Sequence, residues 1–322
     1  MSNILNKKIT IDELIDFMGR KIIRIIGDRN CGDISKPSPI QDRNQGNTIS
    51  FLEKKHITNA EKLLAQTGAS AIIMPSILSS KFPEQSGKTL IFVESPRIEF
   101  ARIIQHFFVE PADVGIHPNA IVEQTAIIGE NVYIGAGAVI GSGCIIGARA
   151  HIGSGVKILN KTIVGANCTI HPGAIIGSEG FHFHYNQSNE LERFPHLAKV
   201  VIDENVEVGA NASIDRGTLT DTLIGQSTKI DNLVHIGHST QIGKRCRIVA
   251  LSLIAGNAKV GDDVWIGAAV TISNNVTIGD RAAIGIGSVV VRDVQTEEHV
   301  SGYYAIRHSD FVRDNIRRTR SN

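Results

Sequence analysis

Histidine is the residue type in this chain best suited to acid-base chemistry, because an imidazole with a pKa of about 6.5 can accept a proton at neutral pH. Of the 12 histidines, the informative ones lie in the segment Asp231-Asn232-Leu233-Val234-His235-Ile236-Gly237-His238. The repeat described below predicts a triangular coil in which Ile236 points inward. His238, two residues later, then lies near a corner of this coil, with its ring directed away from the core. His238 is therefore available to a substrate, although a single corner histidine is more often an ordinary surface residue.

A second pair, His182 and His184, could bind a metal ion. Some proteins built on six-residue repeats are zinc enzymes similar to γ-class carbonic anhydrases. A zinc site needs three or four placed ligands, however, and the spacing identifies no third ligand for this pair. The sequence therefore predicts neither a metal site nor a cofactor. Stoichiometric zinc that is lost together with activity on chelation would contradict this.

The elements that position these side chains follow from one periodicity, an aliphatic residue at every sixth position. This period is too short for a helical solenoid and is typical of a parallel β-helix, in which three repeats form one triangular coil. We therefore predict eight or nine coils. The inward aliphatic residues are Ile116, Val122, Ile128, Ile134, Ile140, Ile146, Ile152, Ile158, Val164, Ile170, Ile176, Ile202, Val208, Ile214, Ile224, Ile230, Ile236, Ile242, Ile248, Ile254, Val260, Ile266, Ile272, Ile278, Ile284 and Val290.

The residue four positions after each aliphatic is nearly always small, which suits a narrow interior. Cys144, Cys168 and Cys246 occupy this slot, so we interpret them as core packing and not as nucleophiles. Cys31 lies in an apparent loop and has no assigned role. Two interruptions break the period, residues 177–199 and a slip near residues 215–221. Because loops commonly form sites, these interruptions are expected to line the functional region.

Three domains are predicted. Residues 1–108 lack the repeat and form a small α/β domain, with a capping box at Thr10 and Glu13, and residues 109–296 form the β-helix. The α/β domain has strands at 21–26, 48–52, 70–74 and 89–93 and helices at 59–66 and from Pro96 to 108. The Pro37-Ser38-Pro39 segment is expected to be a turn. Residues 297–322 form a tail with a short helix over 309–320, which carries Arg313, Arg317 and Arg320 on one side.

The bulk properties exclude several classes of protein. With 322 residues, 42% hydrophobic content and a formal charge of +1, the chain can build a large core and has no global basic field for nucleic acid. It shows no signal peptide and no stretch long enough to span a membrane. Four scattered cysteines do not form a disulfide framework. We therefore expect a cytoplasmic protein.

Several segments together resemble the LpxD family, the UDP-3-O-(3-hydroxyacyl)glucosamine N-acyltransferases of lipid A biosynthesis. The resemblance is carried by Ile214-Asp215-Arg216-Gly217, by the 231–238 segment and by Gly177-Ser178-Glu179-Gly180-Phe181. In the first domain, Ile49-Ser50-Phe51-Leu52 and Ser95-Pro96-Arg97 are also similar. The six-residue period is shared by many acyltransferases, so the specificity lies in its conjunction with these segments. The resemblance spans nearly the whole chain.

The resemblance implies a left-handed β-helix, an N-terminal uridine-binding domain, a homotrimer and active sites between subunits. It implies that His238 deprotonates a glucosamine 2-amine that attacks an acyl thioester on acyl carrier protein. We expect Asp231 and Asn232 to orient the substrate or the pantetheine arm, and the N–H near Gly256 to stabilise the oxyanion. The remaining substrate-binding candidates are Phe51 against the uracil, Phe181 on the loop side of the cleft, His235 and Asn275.

Departures from the family pattern cluster where substrate would lie. Asn275 replaces a second active-site histidine, His235 replaces a glutamine, and His182 replaces a glycine. Near the uracil, Lys54 and Ile57 stand where an asparagine and a tyrosine are expected. These changes leave open an alternative, acyl transfer from acyl carrier protein or coenzyme A to a different nucleotide-linked amino sugar. A noncatalytic scaffold is the third hypothesis, because repeat surfaces often serve binding alone.

Overall fold

The computed structural model describes residues 8–27, 32–44, 46–82, 87–111 and 113–302, together with residues 307, 308 and 313. The chain divides into two compact units, Met1–Pro111 and Ala112–Asn322. The domain boundary expected from the sequence, after residue 108, falls three residues before this division. Cys31 and, apart from Arg313, the helix expected over residues 309–320 lie outside the described residues.

The first unit contains a five-stranded sheet. In spatial order its strands are Arg24–Ile26, Thr89–Val93, Ala71–Pro75, Thr48–Phe51 and Lys36–Pro37, and only the first pair is antiparallel. The helices are Ile11–Met18, Ala60–Gln66 and Pro96–Ile103, with 3₁₀ turns at Gly19–Lys21, Lys54–Asn59 and Ser76–Leu78 and a π-helical turn at Ile104–Phe108. The Thr10 and Glu13 capping box is present as predicted.

Two local predictions in this unit were wrong. The strand expected over residues 21–26 is shortened to Arg24–Ile26, because Gly19 ends the first helix at φ 50° and a 3₁₀ turn follows it through Lys21. The segment expected to be a turn contains a strand residue, since Lys36–Pro37 pairs with the Thr48–Phe51 strand. This strand lies at the edge of the sheet, where proline is tolerated because no further strand needs its missing N–H.

The second unit is a parallel β-helix of short strands that form three faces, and the left-handed coil implied by the resemblance is consistent with it. The ten-stranded face contains Gly115–Ile116, Tyr133–Ile134, His151–Ile152, Thr169–Ile170, Glu207–Val208, Lys229–Ile230, Arg247–Ile248, Trp265–Ile266, Ala283–Ile284 and His299–Val300. The nine-stranded face contains Ile121–Val122, Val139–Ile140, Lys157–Ile158, Ile175–Ser178, Ser213–Asp215, His235–Ile236, Leu253–Ile254, Thr271–Ile272 and Val289–Val290. The eight-stranded face contains Ile127–Ile128, Ile145–Ile146, Ile163–Val164, Val200–Ile202, Thr222–Ile224, Gln241–Ile242, Lys259–Val260 and Thr277–Ile278.

The aliphatic residues predicted to point inward form one continuous core from Ile134 to Val290, and the small slot between them is buried as well. The exceptions lie in the first coil. Ile116 is 51% exposed, and Val122 and Ile128 are half-buried, because the first coil has a neighbouring coil on one side only. The period alone does not show where the stack ends.

The three faces carry different outward side chains. On the eight-stranded face, five outward positions on successive coils are apolar and in register, and none of them is fully buried. We call this row the apolar ladder, and it consists of Ile127, Ile145, Ile163, Val201 and Leu223. The outward positions of the ten-stranded face are more polar, with Thr169, Glu207, Lys229 and Arg247 in succession.

The longer interruption contains an antiparallel hairpin, Phe183–Tyr185 with Leu191–Arg193. Its base is joined to the shorter interruption by hydrogen bonds. The Arg216 N–H donates to the Ser178 carbonyl at 2.8 Å, and the Leu197 N–H donates to the Thr218 carbonyl at 2.8 Å. The two breaks in the repeat therefore form a single packed feature on the β-helix. Among the residues described, no helix is both long and apolar enough to cross a bilayer.

Candidate functional site

His238 lies at the corner where the chain passes from the nine-stranded to the eight-stranded face. It follows His235–Ile236 and precedes Gln241–Ile242. The equivalent corner residue on the next coil is Gly256, and a Cβ placed there would lie 2.6 Å from His238 Nε2. A glycine at this position therefore lets the imidazole lie flat along the neighbouring coil.

The inserted loop brings two further histidines to this corner. His182 and Phe194 face each other across the hairpin, since the Phe194 N–H donates to the His182 carbonyl at 2.9 Å. Two residues later, His196 is only 4% exposed. Thr218, in the shorter interruption, holds the loop close to His238. Its carbonyl accepts the hydrogen bond from Leu197 of the loop, and its N–H donates to the hydroxyl of Ser239, next to His238, at 3.1 Å.

His182, His196 and His238 form a cluster, which we call the three-histidine cluster. One ring nitrogen from each residue can be chosen so that all three lie within 4.8 Å of one another. The rings of His182 and His238 are nearly parallel with centroids 5.4 Å apart, and the His196 ring lies 5.3 Å from that of His238 at 74°. On the other side of His182, its Nε2 lies 2.9 Å from Nε2 of His184.

Burial lowers the pKa of His238 below its ordinary value, and the neighbouring rings of His196 and His182 lower the pKa further, while Asp215 acts in the opposite direction. Burial likewise lowers the pKa of His196. Because both shifts favour the uncharged ring, His238 is neutral at pH 7 and has a lone pair available to accept a proton.

Asp215 is a buried carboxylate beside the cluster. It accepts a hydrogen bond from the Ser178 hydroxyl at 2.8 Å, and its other oxygen lies 3.6 Å from His235 Nε2. Burial raises the pKa of Asp215, whereas the Ser178 hydrogen bond and the nearby His235 and His238 lower it. A carboxylate held in a desolvated place by specific partners is typical of functional sites.

Gly256, whose N–H was predicted to stabilise the oxyanion, lies beside His238 on the next coil. No described residue accepts a hydrogen bond from this N–H, while the Gly256 carbonyl accepts one from the Asn275 N–H at 3.2 Å. Asn275 lies on the same corner, one coil beyond Gly256, with φ 60°. Asparagine tolerates this left-handed conformation, so the turn itself gives a reason for its presence there.

Asp231 and Asn232 lie at a different corner, between the ten- and nine-stranded faces. Their side-chain oxygens accept backbone hydrogen bonds from neighbouring coils, Asp231 from Ala250 at 3.1 Å and Asn232 from Ala210 at 2.7 Å. Both line a groove of about 630 Å³. The structure therefore does not bring them to the His238 corner. The groove is also lined by His171, Pro172, Glu207, Lys229, Arg247 and Trp265.

The aromatic candidates lie in different places. Phe181 belongs to the inserted loop and is 89% exposed, with its ring 5.1 Å from that of Phe183. Phe51 belongs to the first unit, where it stacks on Phe100 at 4.7 Å and lines a pocket of about 420 Å³. Lys54 lines an adjacent pocket of about 340 Å³ together with Arg97.

Sequence reasoning missed His196. It lies in a polar stretch of the inserted loop, 14 residues after His182 and 42 before His238, so no spacing rule connects the three. The feature that could have located His196 is the extended segment from Phe181 to Tyr185, which can pair with a second extended segment of the same loop. A hairpin between them places residues near 182 opposite residues near 194.

Comparisons with known proteins support this architecture. The model of "Bacterial transferase hexapeptide (six repeats)" matches residues 143–178 and 221–256, and that of "Hexapeptide repeat of succinyl-transferase" matches residues 125–160 and 257–292. A solved UDP-N-acetylglucosamine acyltransferase of Francisella novicida superposes with a TM-score of 0.54 at 27% identity, covering 62% of this chain and 73% of that one. The enzyme of the same name from Campylobacter jejuni gives 0.51 and 27%, covering 56% and 68%.

Among curated proteins, a UDP-3-O-acylglucosamine N-acyltransferase of Coxiella burnetii is 37% identical over 238 residues, which is 67% of this chain and 66% of the relative. A UDP-3-O-acylglucosamine N-acyltransferase 1 of Francisella tularensis is 38% identical over 223 residues, which is 63% of each chain. The matched region thus spans slightly under two thirds of these relatives.

Proposed function

We propose that this chain, which belongs to the LpxD family, is an N-acyltransferase that moves a 3-hydroxyacyl chain from acyl carrier protein to the 2-amine of a UDP-3-O-acylglucosamine. The proposal includes a cytoplasmic location, in keeping with the unpaired buried thiols of Cys144, Cys168 and Cys246. It also assigns uridine binding to the first domain, predicted over residues 1–108, and acyl transfer to the β-helix. The predicted end of the β-helix at residue 296, with a tail over 297–322, is corrected by the strand His299–Val300, which pairs with Ala283–Ile284.

The proposed reaction needs one base and one oxyanion donor. The amine nitrogen attacks the thioester carbonyl carbon, and the negative charge that develops on the carbonyl oxygen accepts a hydrogen bond from the Gly256 N–H. His238 takes the proton that the amine loses. When the tetrahedral intermediate collapses, the amide forms, the carbon–sulfur bond breaks, and His238 returns its proton to the departing thiolate. No covalent enzyme intermediate and no external reductant or oxidant are required.

The observation that carries this proposal is the arrangement of His238 against the Gly256 coil. The burial that lowers the His238 pKa keeps the ring uncharged at pH 7, which is the form a general base needs. The N–H of Gly256 on the adjoining coil has no acceptor among the described residues. A base and a free donor therefore lie side by side on one corner.

The other substrate contacts remain proposals. Phe51 and its pocket in the first unit have the aromatic surface that stacks on a uracil ring. Asp231 and Asn232 line a groove with the basic residues Lys229 and Arg247, which suits a phosphopantetheine arm. His235 and Asn275 are proposed to contact the sugar from the face and the corner next to His238, and Phe181 is proposed to cover the loop side.

A homotrimer is supported by the apolar ladder. Its outward residues remain accessible, for example Ile127 at 62% and Ile145 at 40%. An accessible, in-register apolar row is the kind of surface that protein association covers. The His238 corner borders this eight-stranded face, so packing through the ladder would put His238 at the edge of a subunit interface. We therefore propose active sites that are shared between neighbouring subunits.

Replacement of His238 tests the function directly. We expect His238→Ala to lower the rate of N-acyl transfer from acyl carrier protein by at least about a hundredfold, the usual contribution of a general base. The matched control is His151→Ala, which removes a β-helix histidine that stacks on Tyr133 and should leave the rate unchanged. Sedimentation and circular dichroism would confirm that both variants assemble. Full activity in an assembled His238→Ala protein would exclude this mechanism.

The alternative substrate, a different nucleotide-linked amino sugar, is motivated by Lys54 and Ile57. Lys54 brings a positive charge to a pocket wall that already contains Arg97. A panel of nucleotide amino sugars, each tested with acyl carrier protein and coenzyme A donors, separates the two proposals. The preferred one requires the highest kcat/KM with the UDP-3-O-acylglucosamine and the acyl carrier protein donor.

A further inference from the structure

The three-histidine cluster leaves buried nitrogen atoms without partners. Nδ1 of His182, both ring nitrogens of His196 and Nδ1 of His238 are inaccessible to solvent, and no described residue forms a hydrogen bond with them. His196 is 96% buried, given its exposure of 4%. An unpaired buried polar atom costs about 1–3 kcal/mol, so four of them at one point need a physical explanation.

A metal ion bound through one nitrogen of each ring would give a partner to three of these four atoms at once. We infer that His182, His196 and His238 bind one divalent transition-metal ion, with Zn²⁺ the best match, between the inserted loop and the β-helix corner. Imidazole nitrogen is a favoured ligand of Zn²⁺, Co²⁺, Ni²⁺ and Cu²⁺, whereas Mg²⁺ and Ca²⁺ prefer oxygen. Three histidines with a fourth position left for a small ligand form a familiar zinc arrangement.

The geometry requires only a small adjustment. Zinc–nitrogen bonds of about 2.0–2.1 Å in a tetrahedral site separate ligand atoms by about 3.3 Å. The chosen nitrogens now lie within 4.8 Å of one another, so each ring must move by about an ångström or less. His182 and His196 lie on the inserted loop and His238 on the β-helix, so the ion would join two parts of the chain.

The surroundings of the cluster resemble those of metal ligands. A ligating histidine usually has its other ring nitrogen hydrogen bonded, which fixes the tautomer and the orientation of the ring. Nε2 of His182 has such a partner in His184, at 2.9 Å. Gly180 lies directly over the rings, since a Cβ there would lie 3.0 Å from His238 Cδ2 and 3.1 Å from His196 Nε2. The backbone therefore closes the cluster on this side.

Metal binding has a consequence for the proposed reaction, and this consequence alone rests on the proposed function. A lone pair of His238 that is bound to an ion cannot accept a proton from the amine. We therefore expect Zn²⁺ to inhibit N-acyl transfer and the metal-free protein to be the active form. The metal site itself stands on the cluster geometry and is tested without any substrate.

Binding is measured on the full-length protein after removal of metals with a chelator. Titration with ZnCl₂ in a calorimeter should show one ion per chain with a dissociation constant of about 1 μM or lower. Titration with CoCl₂ should produce the intense visible absorption of tetrahedral cobalt, and MgCl₂ should give no heat of binding. Absence of stoichiometric zinc binding by the wild-type protein would overturn the inference.

Variants locate the ion. Removal of one ligand should weaken Zn²⁺ binding by at least about a hundredfold, more than the loss of an outer partner costs. Because His196 is buried and its loss can disturb the loop, His196→Ala is paired with His182→Gln at a half-buried position. His151→Ala is the control that retains full affinity. Wild-type affinity in a folded His182→Gln or His196→Ala protein would place the ion elsewhere and overturn the assignment.

The metal site and the general-base role of His238 can be contradicted independently of each other. If zinc binds but His238→Ala retains full transferase activity, the site stands and the general-base assignment is lost. If His238→Ala is inactive but zinc does not bind, the opposite holds. The ratio of transfer rates with and without Zn²⁺, compared between the wild type and His182→Gln, then shows whether binding and inhibition occur at the same place.

Discussion

The imidazole of His238 lies against Gly256 on the next coil, where a single added methyl group would be 2.6 Å from Nε2. A Cβ at Gly267, by contrast, would meet backbone atoms, with Ile286 N at 2.7 Å. Gly256 is thus a glycine whose replacement acts first on a side chain of the candidate site.

We predict that Gly256→Ala lowers the N-acyl transfer rate by about 10- to 100-fold, because displacement of a reacting group by about an ångström has that effect. Its thermal stability should change less than that of a variant that crowds backbone, since the added methyl group meets the end of a side chain. Gly267→Ala is the contrasting variant and should lose about 1–3 kcal/mol of unfolding free energy through backbone crowding. Denaturant unfolding and steady-state kinetics on both proteins measure the two effects. Equal losses of activity and stability in the two variants would contradict a specific role for Gly256.

We predict that Asp215→Asn lowers activity without lowering stability. Burial raises the pKa of Asp215, so at pH 7 its ionised form disfavours the folded state relative to the unfolded chain. Its neutral isostere should therefore keep the unfolding free energy or increase it by up to about 1 kcal/mol. The transfer rate should fall, because the Asp215 carboxylate stabilises the protonated form of His238 that arises when the ring accepts the amine proton.

The control for Asp215 is Asp263→Asn, which removes an exposed carboxylate that pairs with Arg245. Its activity should equal that of the wild type. A drop of more than about 1 kcal/mol in the unfolding free energy of Asp215→Asn would show that the carboxylate serves the fold and not the reaction.

We predict that Ile145→Asp on the apolar ladder dissociates the proposed homotrimer. A charge enclosed by an apolar interface without a partner costs about 3 kcal/mol or more, which corresponds to about a hundredfold weaker association. Sedimentation velocity measures the assembly, and circular dichroism should be unchanged because the inward neighbour Ile146 still fills the core. Thr169→Asp on the ten-stranded face is the control and should remain trimeric. If Ile145→Asp sediments like the wild type, the interface does not include the ladder.

We predict that Cys168 and Cys246 are unreactive in the folded protein. Burial raises the pKa of each thiol to about 11. Only about one thiol in a thousand is then ionised at pH 8. In a Cys31→Ser background, a thiol reagent at pH 8 should label neither residue before denaturation and all three remaining cysteines after it. Rapid labelling of the native protein would contradict their placement in the core.

The raised pKa values of these two thiols also make the unfolding free energy depend on pH. An unfolded thiol ionises from its ordinary value of 9.0 upward, whereas Cys168 and Cys246 hold their protons to about 11 in the folded protein. The unfolding free energy is therefore unaffected by these thiols below pH 9 and should fall as the pH rises from about 9 to 11. The decrease should be smaller in Cys168→Ala, which a denaturation series over this pH range would show.

The six-residue period determined the β-helix, its inward side chains and the position of His238 outside the core, because each coil repeats the same local requirement for one large and one small buried residue. Because three repeats form one coil, the period also places Asp231 and His238 in successive repeats and therefore at different corners, although it could not show what each corner contacts. It also could not show that Ile116 at the end of the stack stays exposed.

The tertiary structure alone decided the contents of the site. His196 is 42 residues from His238 in the sequence and reaches it only because a hairpin folds back and hydrogen bonds through Thr218 and Ser239. Apolar residues repeated every 18 positions or more, from Ile127 to Leu223, likewise become one row only when coils stack. Local sequence fixes which way a side chain points relative to its own coil, whereas contacts between distant segments depend on how loops close, and no periodicity encodes that.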